Sequence, residues 1–365
     1  MMNNKNKKFL IVTGIYPPEI GGPATYARLL KNFLEEKGEN VDVAMFRVSR
    51  KYPKGIRHIH FTFLLLRKII SSKYIFVQDT LSVGLPTMIA CFILRRKYVL
   101  RIPGDYVWEQ ARQRWGVTDD IEVFQTKKYG KKIELLKKLE RLVAKRATRV
   151  IVPSKYFASV ISKWGVREGK MEVVYNGVPK IDESLYDNIP KKPKTIISSG
   201  RFVPWKNFGV LIQVISKMPD WTLHLVGDGP ERESLEKLAR EMDVSERVVF
   251  TGTLPQTDLY RYIKESMYFV LPTKFESFSF QIVEAMMLGT PVLASRVSNL
   301  EEIIRDGQNG VFINPDDPES IKSAIFSLEE NSQKREDISS SAKKDSEFFS
   351  FEKTGEKIIN IFEKI

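Results

Sequence analysis

The sequence predicts an α/β protein made of two doubly wound, parallel-sheet domains in tandem. Three observations predict it. Short apolar runs rich in β-branched residues alternate with helix-length amphipathic segments along the 365-residue chain. The alternation breaks once, at the polar, proline- and lysine-rich stretch DNIPKKPK (residues 187–194), and then restarts. Several of the strand runs end in a glycine-containing loop that leads into a helix. In such sheets ligands bind beyond the carboxyl ends of the strands, and with two domains the expected site is a cleft between them.

Taken in order, Phe9–Thr13 (FLIVT) is the first strand, followed by a loop with Gly21-Gly22 and a helix from about Pro23 to Gly38. VDVAMF is the next strand. KYIFVQD and KYVLRIPGD are further buried strands, and TRVIVPS another. The apolar run Leu81–Leu94 is too short to span a bilayer and is expected as a buried helix. After the break, TIISSGRF, WTLHLVGDG, RVVFTG, YFVLPT and TPVLAS are strands separated by helical segments. The expected limits are 1–188 and 189–345 for the two domains. The helix within 346–365 is expected to cross back to the first.

Composition narrows the function classes. One cysteine, Cys91, rules out an internal disulfide and a cysteine-based metal cluster, and fits a reducing, cytosolic interior. His58 and His60 would point the same way on a strand, but no third metal ligand accompanies them. The basic start MMNNKNKK is followed by an apolar stretch of only strand length, so neither signal peptide nor anchor is expected. Charge is uneven: residues 1–190 carry a net +17 and residues 191–365 a net −4. The first half is therefore expected to meet a polyanion or an anionic surface. Lys127–Arg149 is a basic amphipathic segment with Ile133, Leu136, Leu139, Val143 and Ala147 near one face. It either packs inward with solvated lysines or attracts anionic headgroups.

The chemistry concentrates in a few places. In FESFSFQIVEAMMLGTP, Glu276 lies in the loop after a strand, and Glu284 interrupts an apolar helix that Ser277 or Ser279 can cap. A carboxylate there needs a partner. Two adjacent hydroxyls of a ribose would serve, as would backbone amides or an arginine. The helix's first amides form an anion site. In TIISSGRFVPWKN, Arg201 and Lys206 follow a strand end, where they could clamp a diphosphate or simply be solvated. Gly227 belongs to a Gly-Asp-Gly-Pro turn that could lie close to a nucleotide or be plain turn chemistry. Gly22 permits a close backbone approach beside a helix start. Asp105 and Glu109 follow a strand near Trp108 and Trp115, as a sugar-binding group or a loop cap.

As a set, these segments resemble the group 1 glycosyltransferases, family 4 of the sequence classification. Glu276 and Glu284 match that family's pair of glutamates separated by seven residues. GRFVPWKN, LVGDGPE, EAMMLGTPVLAS, EEIIRDGQNGVFINPDD, PPEIGGPATYARLL and VVYNGVP match its companion segments in order. The resemblance implies the GT-B fold, two facing Rossmann-like domains, and retaining transfer from a nucleotide-sugar. It implies Glu284 on the donor ribose, Arg201 and Lys206 on the diphosphate, amides around Phe278 and Ser279 beside them, and Glu276 facing the transferred sugar. It further implies Gly22 and Gly227 against the donor, and no metal or other cofactor. Here Glu-Ser-Phe-Ser replaces the usual Glu-Gly-Phe-Gly. Asp105 stands nearest the place of a common histidine and is expected to contact sugar or acceptor. The expected partners are a UDP- or GDP-sugar, a lipid-linked or glycan acceptor, and an anionic membrane surface at the cytoplasmic face, with no nucleic acid. A sugar-nucleotide epimerase and a non-catalytic basic nucleic-acid-binding protein are the competing readings.

Overall fold

The computed structural model describes residues 8–19, 21–53 and 55–365. The basic segment ahead of Lys8 lies outside them. The chain divides into two compact units, Met1–Tyr175 with Phe351–Ile365, and Asn176–Ser350.

The first unit is a six-stranded parallel sheet flanked by helices. Its strands are β1 (Lys8–Thr13), β2 (Asn40–Met45), β3 (Tyr74–Val77), β4 (Val99–Arg101), β5 (Arg149–Val152) and β6 (Met171–Val173), in the order β2-β1-β3-β4-β5-β6. All five pairings are parallel. Phe9 to Val12 are buried, as are Ile75 to Val77, because helices cover both faces of such a sheet. The helix Gly22–Glu36 carries Pro23 in its first turn. It stops at Gly38, whose φ of +81° suits a residue without Cβ. The last helix, Phe351–Glu363, packs on Gly22–Glu36. Phe351 meets Tyr26 edge-on at 5.5 Å, and Phe362 meets Phe9 at 5.3 Å.

The second unit repeats the plan. Strands β7 (Lys192–Ser199), β8 (Thr222–Val226), β9 (Val248–Gly252), β10 (Ser266–Leu271), β11 (Val292–Ser295) and β12 (Val311–Ile313) lie in the order β12-β11-β10-β7-β8-β9, again all parallel. The order reverses between β7 and β10, and in the first unit between β1 and β3. Such switch points leave a crevice at the strands' carboxyl ends.

Four expectations change. The polar run 187–194 is not where the chain divides. The Lys191 amine bonds Ser266 O at 2.7 Å and Thr290 at 3.0 Å, and Lys192 pairs with Glu265, so the run is stitched to the start of β10. His58 and His60 lie on the helix Ile56–Ile70, not on a strand. Phe61, Leu65 and Ile69 recur every four residues on its inner side, and that period selects a helix. The Leu81–Leu94 run does form a helix, Gly84–Ile93, but Ile89, Phe92 and Ile93 are exposed rather than buried. The basic helix Lys131–Arg146 turns Lys137 and Glu140 inward beside Ile133 and Val143, with Leu136 and Leu139 only half-buried. The Lys137 amine donates to the carbonyls of Phe124 and Lys127 at 2.9 and 3.0 Å, which satisfies its burial. Strands β6 and β12 had no separate sequence signal, being three residues each.

Candidate functional site

The second unit's switch point gathers most of the residues singled out in the sequence. From the end of β7, Gly200 (φ +144°) leads into Arg201, Phe202 and the one-turn helix Pro204–Lys206. From the end of β10, Thr273 leads into Glu276 and the helix Phe280–Met287. The two loops are tied to each other: the Thr273 hydroxyl donates to Trp205 O at 3.0 Å, and Lys274 N donates to the same oxygen at 2.7 Å.

That tie presses Lys206 against Glu276. The ammonium donates to Glu276 Oε1, and both side chains are nearly buried. Burial pushes the Lys206 amine down to about 8. The carboxylate on it acts in the opposite sense. Arg201, by contrast, is exposed and has no hydrogen-bonding partner among the described residues. The pair therefore presents one held cation and one open cation at a strand end.

Ser279, fully buried, caps Phe280–Met287 by accepting from Ile282 N at 3.4 Å, so the second of the two candidate serines is the cap. The helix start thus lies two residues from Phe278, whose ring packs edge-on against Phe280 and Phe349. Glu284, one turn further, is 6% exposed. The helix Gln256–Glu265 supplies its partners. Gln256 Nε2 and Tyr260 OH each donate to Glu284 Oε1 at 3.2 Å. Oε2 has no hydrogen-bond partner among the described residues. Burial raises the carboxyl to about 7, while the two donors act to lower it. Neither Gln256 nor Tyr260 was legible beforehand, because no local pattern links them to a residue more than twenty positions away.

Gly227 is required by close packing. A Cβ there would stand 2.0 Å from Gly200 O, and one at Gly229 2.4 Å from Phe202 O. The turn after β8 therefore lies directly on the loop that carries Arg201. Phe202 N donates to Asp228 O at 2.9 Å, and Glu231 N to Phe202 O at 3.1 Å.

Gly22 and Asp105 lie in the first unit. Gly22 is exposed at the first position of its helix. Asp105, 2% exposed, caps the helix Tyr106–Arg114. Its Oδ1 accepts from Trp108 N and its Oδ2 from Gln125 Nε2, both at 2.8 Å. A second buried carboxyl, Glu140, hydrogen-bonds to it and is held by the Thr80 hydroxyl at 2.5 Å. Burial and the Asp105 charge push Glu140 well above the usual carboxylate range. Burial raises Asp105 as well, so the two carboxyls resist carrying both charges at once. Trp108 is core, with its indole N–H on Asp119 O at 3.0 Å.

The family described as glycosyl transferases group 1 matches residues 183–345, and that described as glycosyltransferase family 4 matches residues 110–180. An uncharacterised glycosyltransferase of Methanocaldococcus jannaschii is 27% identical, covering 97% of this chain and 97% of that protein. A lipopolysaccharide core biosynthesis glycosyltransferase of Rhizobium meliloti is 35% identical over 40% of this chain and 43% of its own. An uncharacterised protein from the cps region of Klebsiella pneumoniae is 29% identical over 54% of this chain, and the match spans only 56% of that relative. Among solved structures, sucrose-phosphate synthase from Thermosynechococcus elongatus superposes with a TM-score of 0.78 at 18% identity, covering 98% of this chain and 99% of that one. Anabaena HepE, solved with UDP and glucose, gives 0.77 at 20% identity, covering 99% and 100%. The folds agree, and the group 1 match takes in Arg201, Lys206, Gly227, Glu276 and Glu284: the chain is a glycosyltransferase whose residues 183–345 belong to the group 1 family.

Proposed function

We propose that this protein moves a sugar, with retention at the anomeric carbon, from a UDP- or GDP-sugar to a lipid-linked or glycan acceptor in cell-surface polysaccharide synthesis. The observation that carries this reading is the Lys206–Glu276 pair set beside the open Arg201 and the Ser279-capped helix start, with the buried Glu284 one turn beyond. The geometry suits a nucleoside diphosphate. Oε2 of Glu284 is available to the ribose hydroxyls. Arg201, Lys206 and the amides at Phe278 and Ser279 would hold the phosphates, with no metal required. Glu276 would lie against the transferred sugar, and Gly22 and Gly227 would allow backbone to approach the donor.

In the proposed step the bond from the anomeric carbon to the diphosphate breaks, and its electron pair stays on the phosphate oxygen. The acceptor hydroxyl bonds the same face of that carbon, and its proton passes to the departing diphosphate. The two cations stabilise the charge that grows there. Support for the donor class comes from Anabaena HepE, solved with UDP-glucose. Support for the acceptor class comes from the lipopolysaccharide core relative of Rhizobium. Action at the cytoplasmic face of the membrane is part of the same reading and draws on the basic first unit, which has 37 Lys and Arg against 18 Asp and Glu.

A thermal-shift screen of UDP, GDP, ADP and their sugar conjugates tests the reading, since a ligand bound only by the folded state raises its stability. One nucleotide is expected to stabilise the wild type and to lose that effect in Glu284→Ala. An equal response in both proteins would remove Glu284 from the donor site. Asp105 is tested separately. As a contact to sugar or acceptor, its truncation to alanine should lower turnover at saturating donor beyond what the lost cap, about 1 kcal/mol of stability, explains. Unchanged turnover would leave it a structural group that caps the helix and holds Gln125 and Glu140.

A further inference from the structure

The helix Ile56–Ile70 is apolar on two sides. Phe61, Leu65 and Ile69 face the core. Ile56, Ile59, Phe63 and Ile70 fall on another side at spacings of three, four and seven, and they are 53–68% exposed. A water-facing side that is apolar, beside another that packs inward, is not what burial selects. The helix Gly84–Ile93 packs against this one and adds Ile89, Phe92 and Ile93, of which Phe92 is 75% exposed. The two apolar ends lie side by side. The Arg96 guanidinium, just past the second helix, donates to the carbonyls of Ser72 and Lys73, just past the first.

The surrounding sequence is mostly basic, with Lys68 paired to Asp42 and Arg50 to Glu19. Between Val43 and Gly104 the sequence holds twelve Lys and Arg and a single acidic residue, Asp79. Arg67, Lys73 and Arg95 are exposed close to the apolar stripe in sequence. Exposed phenylalanine and isoleucine bordered by cations is the composition that lies in the headgroup region of an anionic bilayer. No helix among the described residues is long and apolar enough to cross a membrane, so attachment here would be interfacial.

We infer that this two-helix face of the first unit docks on an anionic lipid surface, with Phe63 and Phe92 as its inserting side chains. The inference deepens, and rests on, the membrane part of the proposed function. It assigns that part to this apolar face rather than to the basic helix Lys131–Arg146, whose Lys137 is turned inward.

The test is flotation of the full chain with vesicles of phosphatidylethanolamine and phosphatidylglycerol, with phosphatidylcholine vesicles as the neutral control. Wild type is expected to float with the anionic vesicles only. Phe63→Ser with Phe92→Ser should weaken binding by about tenfold per phenylalanine. Lys131→Ser with Lys138→Ser should weaken it far less. The nucleotide thermal shift should be the same in all three, which shows that each is folded. Absence of wild-type flotation overturns the docking surface, and if the nucleotide shift persists the transferase reading stands without it. Equal flotation of the Phe63 and Phe92 variant also overturns it. So does a wild-type dimer that the same two substitutions dissociate, because the face would then belong to a second copy.

Discussion

Lys206→Ala is expected to lower kcat for sugar transfer by about two to three orders of magnitude, the usual effect of removing one preorganised donor to developing charge. The ammonium is nearly buried and held on Glu276 by two loops that share the Trp205 carbonyl, so it needs no reorganisation when the diphosphate departs. The same substitution strands the Glu276 carboxylate, which is 8% exposed, and should destabilise the fold by about 3 kcal/mol. The two effects separate in the double variant Lys206→Met, Glu276→Met. Removing both charges should restore most of the stability while leaving transfer as low as in Lys206→Ala. Chemical denaturation and release of nucleoside diphosphate from the sugar conjugate read the two quantities. A double variant that regains turnover along with stability would show that the lysine serves the fold and not the chemistry.

Much of this site was readable in the sequence because its residues follow strand ends, and strand ends are marked by local pattern. Arg201, Lys206, Glu276 and Glu284 sit in two loop-helix segments whose apolar strands and glycine stops are unambiguous. The pairing of Lys206 with Glu276 was not readable, because it depends on β7 lying beside β10, a neighbourhood set by sheet order. For the same reason the partners of Glu284 came from a helix in another part of the chain. The helix Ile56–Ile70 shows a different limit. Its alternation of Ile59, Phe61 and Phe63 suits a strand, and only the longer four-residue recurrence of Phe61, Leu65 and Ile69 favours a helix. Burial was over-read at Leu81–Leu94, since hydrophobicity reports a preference for leaving water and not whether the fold supplies a cover.

The other large effect concerns pH. Burial raises the Glu284 carboxyl from 4.5 to about 7 in the folded protein. The folded state therefore keeps a proton that the unfolded chain has already lost between those values, so stability is complete below 4.5 and falls as pH rises towards 7. The whole shift corresponds to about 3 kcal/mol. Glu284→Gln, which cannot ionise, should flatten that slope in denaturation midpoints measured across the window. Nucleotide binding should run the opposite way. Ribose hydroxyls donate to the ionised carboxylate, so binding favours the deprotonated form and draws its pKa down. The affinity for the stabilising nucleotide should weaken as pH drops below 7, by up to about tenfold per unit. Glu284→Gln should bind weakly with no such dependence. If wild-type affinity were flat from about pH 6 to 8 while the stability slope remained, Glu284 would be a buried titrating group that never meets the ribose. If both were flat, Gln256 and Tyr260 would already hold the carboxylate ionised, and the two hydrogen bonds at 3.2 Å would have outweighed its burial.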